Sequence, residues 1–183
     1  MLASNRNVLY EHLVGCAKDV LNAYDLAVDS VEVDAQALPD PKLAAVICFG
    51  GDGVHGELVL VAPVAVVRAS YPVPAEQRAT VTDASVQDWV GELVNQLLGR
   101  LKRKLLISGL DIETGLPRAT SVERLARHTG ATDGSYSLHL CAHAGKNALV
   151  AVWLDTVVPD HIDLARPCGL AQATLAEGDV LLF

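Results

Sequence analysis

Asp88, Glu92, Asn95 and Gly99 stand four, three and four residues apart in the stretch VQDWVGELVNQLLGR, residues 86–100. Such steps return to one side of a helix with 3.6 residues per turn. With Asp88 as zero, Glu92 falls at about 40°, Asn95 at about 340° and Gly99 at about 20°. Val86, Val90, Leu93, Val94, Leu97 and Leu101 fall on the opposite side, at about 140–240°. The apolar stripe is expected to face a core and the polar row to face outwards, with Trp89 at about 100° on the border between them. A carboxylate and a neutral amide one turn apart make a useful pair. The first accepts hydrogen bonds and the second both donates and accepts, although an ordinary solvated helix face is the plainer reading of Asp88, Glu92 and Asn95. A merely solvated helix face needs neither Asn95 nor Gly99, since each lowers helix propensity, the glycine by about 1 kcal/mol relative to alanine. A glycine there does let a partner approach closely.

Other constellations carry less. GGDGVHG at 50–56 lacks the Lys-Ser/Thr of a phosphate loop and runs into strand-like sequence, so a hairpin turn is expected. His139, Cys141 and His143 alternate along a predicted strand and would share one face, with Leu138, Leu140 and Ala142 turned to the core. His and Cys are zinc ligands, yet neighbours on one strand converge poorly on a tetrahedral ion, and no fourth ligand is apparent. There is no GxSxG elbow. Asp88 and Glu92 could act as an acid–base pair, but neither a cleft nor opposed carboxylates are visible.

These groups need a scaffold, and the composition supplies one. The chain has 183 residues, 51% hydrophobic and 20% charged, which is globular and long enough to bury a substantial core. Its formal net charge of -8 argues against broad binding to nucleic acid or an anionic membrane. The basic run RLKRKLL at 100–106 is expected to be a solvated helix end. Cys16, Cys48, Cys141 and Cys168 are scattered, with no CxxC pair, and several lie among apolar residues as small hydrophobes do. No signal-like or membrane-spanning stretch is recognised, so a reduced cytoplasmic setting without membrane insertion is expected.

Residues 4–24 read as an amphipathic helix with Ser4 or Asn5 as cap. VDSVEVDA at 28–35 alternates as an exposed strand, and ALPDP at 37–41 is a turn. Residues 42–63 form a hairpin about Gly50-Gly51-Asp52-Gly53. VAVVRAS then starts a short helix, 71–83 is a loop, and Thr82 or Asp83 caps a long helix over 83–105. LDIETGLPRAT at 110–120 is extended, broken at Gly-Leu-Pro. A second hairpin spans 135–155 about Gly145-Lys146-Asn147, and the tail ends in VLLF. Helices combined with antiparallel hairpins indicate an α+β fold.

VQDWVGELVNQLLGRLKRKL resembles the signature helix of the CheX/CheC family of chemotaxis phosphatases. That signature is an acidic residue, three spacers, Glu, two spacers and Asn, matched by Asp88, Glu92 and Asn95, with Gly99 following. CFGGDGVHGELVLVAP is similar to the family's hairpin before the helix, and SGLDIETGLPRAT to its extended segment ending in a Pro-containing turn. With the N-terminal helix, the likeness spans about residue 4 to 155. One ExxN helix, with no second copy after 155, resembles the single-motif CheX branch.

The resemblance implies one CheX-like domain over residues 1–183, with an antiparallel sheet and long helices. It implies hydrolysis of the aspartyl phosphate of a CheY-like response-regulator receiver domain, which ends that regulator's signal. Glu92 would engage the receiver's active-site lysine, Asn95 would orient the attacking water, Asp88 would support the surface and Gly99 would permit docking. The receiver would supply Mg2+, and this chain would bind no cofactor or metal of its own. The alternative is a non-catalytic response-regulator-binding or adaptor module of the same fold. A homodimer is implied too, for which the VLLF end and exposed strand edges are contact surfaces.

Overall fold

A computed structural model describes residues 5–24, 26, 28–32, 42–120, 135–144, 148–159 and 161–166. The turn at 37–41, the turn at 145–147 and the VLLF end lie outside them.

The strongest local instruction is Asp52-Gly53. Both residues have positive φ, 50° and 79°, and they join β2 (Lys42–Gly51) to β3 (Val54–Pro63) with Gly51 opposite Val54. A two-residue turn of this hand matches the twist of the strands it links. The second hairpin pairs β6 (Ser135–Ala144) with β7 (Ala148–Val157), Ala144 facing Ala148. The two hairpins join through antiparallel β3 and β7. The short β1 (Val28–Glu32) adds beside β6, and β4 (Glu113–Thr114) and β5 (Arg118–Thr120) both pair with β2. The result is a single antiparallel sheet of order β1-β6-β7-β3-β2-β4, with β5 also on β2. The fold is α+β.

Strand alternation divides that sheet by chemistry. Ala45 and Ile47 of β2, Leu58 and Leu60 of β3, and Val152 and Leu154 of β7 point into the main core. Ala44, Val59, Val61 and Ala151 form a smaller apolar cluster on the other face. The main core is closed by α1 (Asn5–Asn22), α2 (Val64–Ala69) and α3 (Asp83–Ile107). A short 3-10 helix, Ala75–Thr80, lies within the segment expected to be loop.

Helix α3 begins as its sequence indicates, with Thr82 Oγ1 accepting from the Ser85 amide at 3.2 Å. Its entry is tied to α2, because the Arg68 guanidinium donates to the Val81 carbonyl and, at 2.6 Å, to the Asp83 carboxylate. Its buried arc is wider than the expected stripe. Trp89 is only 9% exposed and Leu98 is fully buried, which extends the arc to about 100–280°. The reason is that α3 rests on β2 and β3 while α1 and α2 flank it. Trp89 is thus a core residue and not a border one. Its indole N–H donates to Ser70 Oγ at 3.0 Å, and the Ser70 hydroxyl donates to the Val67 carbonyl at 2.8 Å. Tyr24 and Tyr71 meet its ring edge-on, at 4.9 and 5.6 Å between centroids.

Asn5 serves a distant segment. Its amide donates to the Ile162 carbonyl at 2.7 Å, and its oxygen accepts from the Leu164 amide at 3.0 Å. Cys16 is buried and free, and burial pushes its thiol up to about 11.

Candidate functional site

The polar row of α3 is where the geometry concentrates functional groups. Asp88 and Asn95 are exposed; Glu92 and Gly99 are half-buried. Helical geometry separates Glu92 from Asn95 by about 4.5 Å along the axis and about 60° around it. The Asn95 amide forms no hydrogen bond among the described residues. Glu92, in contrast, is held. Its Oε1 accepts from Nε2 of Gln96 at 3.0 Å, and Oε1 of Gln96 accepts from the Tyr24 hydroxyl at 2.9 Å.

The row is bordered on both sides. Tyr71, Ser85, Asp88, Trp89 and Glu92 line a shallow, open depression of about 320 Å³. On the other flank, Gly115-Leu116-Pro117 bridges β4 and β5. The Gly115 amide donates to the Cys48 carbonyl at 2.8 Å, which ties the loop to β2. Pro117 rests on α3 at Gly91, where a Cβ would meet it at 3.6 Å. Leu116 projects outwards, 84% exposed.

Part of the basic run is engaged locally, and so it is more than a solvated helix end. Lys102 Nζ lies 3.1 Å from the Asp111 carboxylate, and Lys104 lies along α1 at Gly15. On β2, Cys48 is half-buried, its thiol raised above the ordinary value first by burial and then by Glu57. Among the described residues no group of three His, Cys, Asp or Glu is placed to hold a metal ion. His139, Cys141 and His143 occupy alternate positions of β6, opposite Trp153, Ala151 and Leu149; their side chains lie outside the described residues. No described helix is long and apolar enough to cross a membrane.

Gly99 tests what the row is for. Among the described residues a Cβ built there meets nothing within 4 Å, so none of them requires glycine for packing. Gly99→Ala is expected to raise stability by about 1 kcal/mol, as for any helix-interior glycine. Gly99→Leu should fold equally well yet obstruct a partner on this face. Thermal melts read beside binding would detect the separation, and a lower melting temperature for Gly99→Ala would contradict it.

Three participating residues were not singled out by sequence. Gln96 lies four residues after Glu92, the spacing of a helix-surface pair, and so was findable. Tyr24 and Pro117 come from distant elements and carry no such local mark.

The family model for the chemotaxis phosphatase CheX matches residues 43–141, more than half of the 183-residue chain. The chain belongs to the CheX family. That match takes in β2 from Leu43 onwards, β3, all of α3 and the loop resting on Gly91. Solved structures share the fold at low identity. A CheC-like superfamily protein from Shewanella sp. PV-4 has a TM-score of 0.64 at 15% identity, covering 82% of this chain and 98% of that one. CheX from Vibrio vulnificus gives 0.60 at 15%, covering 81% and 98%. The Borrelia burgdorferi CheX-CheY-BeF3-Mg2+ complex gives 0.58 at 14%, covering 81% and 97%. No curated protein matches the chain.

Proposed function

We propose that this protein hydrolyses the aspartyl phosphate of a response-regulator receiver domain, with Glu92 and Asn95 as its working groups. The observation that carries this reading is their placement. A tethered carboxylate and an amide without a hydrogen bond among the described residues project one turn apart from the outward face of a helix fixed by its buried side. CheX family membership and a relative solved as a CheX-CheY-BeF3-Mg2+ complex support the same reading.

The chemistry fits the residue types. In the hydrolysis, water forms the new P–O bond, the bond to the aspartyl oxygen breaks, and the carboxylate leaves. An acyl phosphate needs positioning and charge neutralisation more than covalent help. Mg2+ bound by the receiver would supply the neutralisation. Asn95 can accept from the attacking water through its oxygen and donate to a phosphoryl oxygen through its NH2. A carboxylate in its place would add negative charge beside the phosphate. Glu92 has the complementary task of meeting the receiver's lysine as a charge-assisted anchor. Asp88 lies on the rim of that contact, and Gly99 leaves room for it.

The test is phosphate loss from purified phosphorylated receivers of the same organism, with Mg2+, with and without this protein. Acceleration of a cognate receiver is expected. Binding without acceleration would assign the protein to docking alone.

A further inference from the structure

Glu92 has a hydrogen-bond partner before any other molecule arrives. An ionised carboxylate only accepts hydrogen bonds, so Gln96 must turn its NH2 towards Glu92, and its carbonyl oxygen then needs a donor. Tyr24 supplies one, from the turn that follows α1 and 72 residues away in sequence. Tyr24 is itself fixed by its edge-on contact with Trp89, and Trp89 by Ser70. A glutamate and a glutamine at i and i+4 are by themselves an ordinary surface pair. Here a third group, on another element and braced against the core, sets the orientation of the amide.

We infer that Gln96 and Tyr24 are positioning residues for Glu92. Gln96 occupies one carboxylate oxygen, Tyr24 holds Gln96 in place, and the other oxygen is left for the cation of the partner. A side chain already held in its binding rotamer loses less freedom on association, so the relay improves affinity without touching the partner. The identity of that partner rests on the receiver-phosphatase reading. The positioning itself does not, because it is a property of the free protein.

The experiment uses the full chain with Gln96→Leu and Tyr24→Phe, each made in the wild type and in Glu92→Ala. Phe at position 24 preserves the ring that meets Trp89, so the fold is kept. Side-chain NMR couplings of Glu92 in the free protein report its rotamer averaging. Affinity is read against a beryllofluoride-loaded receiver with Mg2+, and turnover at saturating phosphorylated receiver. Either substitution should increase averaging at Glu92 and weaken receiver binding about fivefold, roughly the worth of one hydrogen bond. Turnover at saturation should change by less than about twofold, because Asn95 is untouched. The two together should do no more than either alone, since the contacts act in series. In Glu92→Ala neither should alter affinity. Unchanged averaging at Glu92 in both variants would overturn the inference. So would an affinity loss that persists without Glu92, because Gln96 would then be acting elsewhere. If Glu92→Ala leaves receiver binding intact, the anchor role of Glu92 fails by itself, and the rotamer measurement still decides the positioning; if no cognate receiver loses phosphate faster, the phosphatase reading fails and the positioning stands.

Discussion

Asn95→Ala is expected to slow phosphoryl loss from a bound receiver on the order of 100-fold, the cost of a misplaced reactant in a site that works by orientation. Affinity should change by less than about threefold, since the Glu92 anchor and the helix surface remain. The same substitution should make the protein slightly more stable, by roughly 0.6 kcal/mol. Asn95 is exposed and without a hydrogen bond among the described residues, and alanine is the better helix former. A rise in melting temperature together with a loss of turnover would be hard to produce by damaging the fold. Single-turnover kinetics at saturating protein, beside a thermal melt, would show both. Equal turnover by wild type and Asn95→Ala would remove the proposed mechanism even if phosphatase activity were real.

Glu92→Ala should act on both association and turnover. Losing a charge-assisted hydrogen bond to a cation costs about 1.5–3 kcal/mol, or roughly 10- to 100-fold in Kd. Turnover falls as well, because an unanchored receiver no longer holds its phosphoryl group against Asn95. Stability should drop by no more than about 1 kcal/mol, the worth of the hydrogen bond with Gln96. Glu92→Gln separates charge from shape. It keeps the length of the side chain, loses the attraction, and should bind with a flatter dependence on ionic strength. Titrations at two salt concentrations would show this. Tight, salt-independent binding by Glu92→Ala would remove Glu92 as the anchor.

The polar row on α3 and the two hairpins were legible because each is a local pattern. Positions four, three and four apart settle which helix residues share a face. Asp52-Gly53 supplies two positive φ values in the only place a two-residue turn between β2 and β3 can use them. What could not be read locally was how much of each face is covered. Trp89 and Leu98 look like border residues on a helical wheel, yet both are buried because α1 and α2 flank α3 while the sheet lies beneath it. The pairing of β3 with β7 joins strands that are distant in sequence, as do the contacts Tyr24 to Gln96 and Pro117 to Gly91. Periodicity reports the orientation of a residue about its own axis, and these contacts depend on where other axes lie.

Helix α3 has nine buried residues, and its polar stripe opens onto nothing deeper than the shallow depression beside Tyr71. Among the described residues, none closes over Glu92 and Asn95. So open a surface cannot strip the water from a reacting group by itself; a second wall has to arrive with the other molecule. On the proposed reading, this protein is half of an enzyme, completed only while two macromolecules remain in contact. A small acyl phosphate diffusing past would find nothing to enclose it. Discrimination among targets would then lie in the fit of protein to protein and not in any grip on phosphate, and each catalytic cycle would end when that contact comes apart.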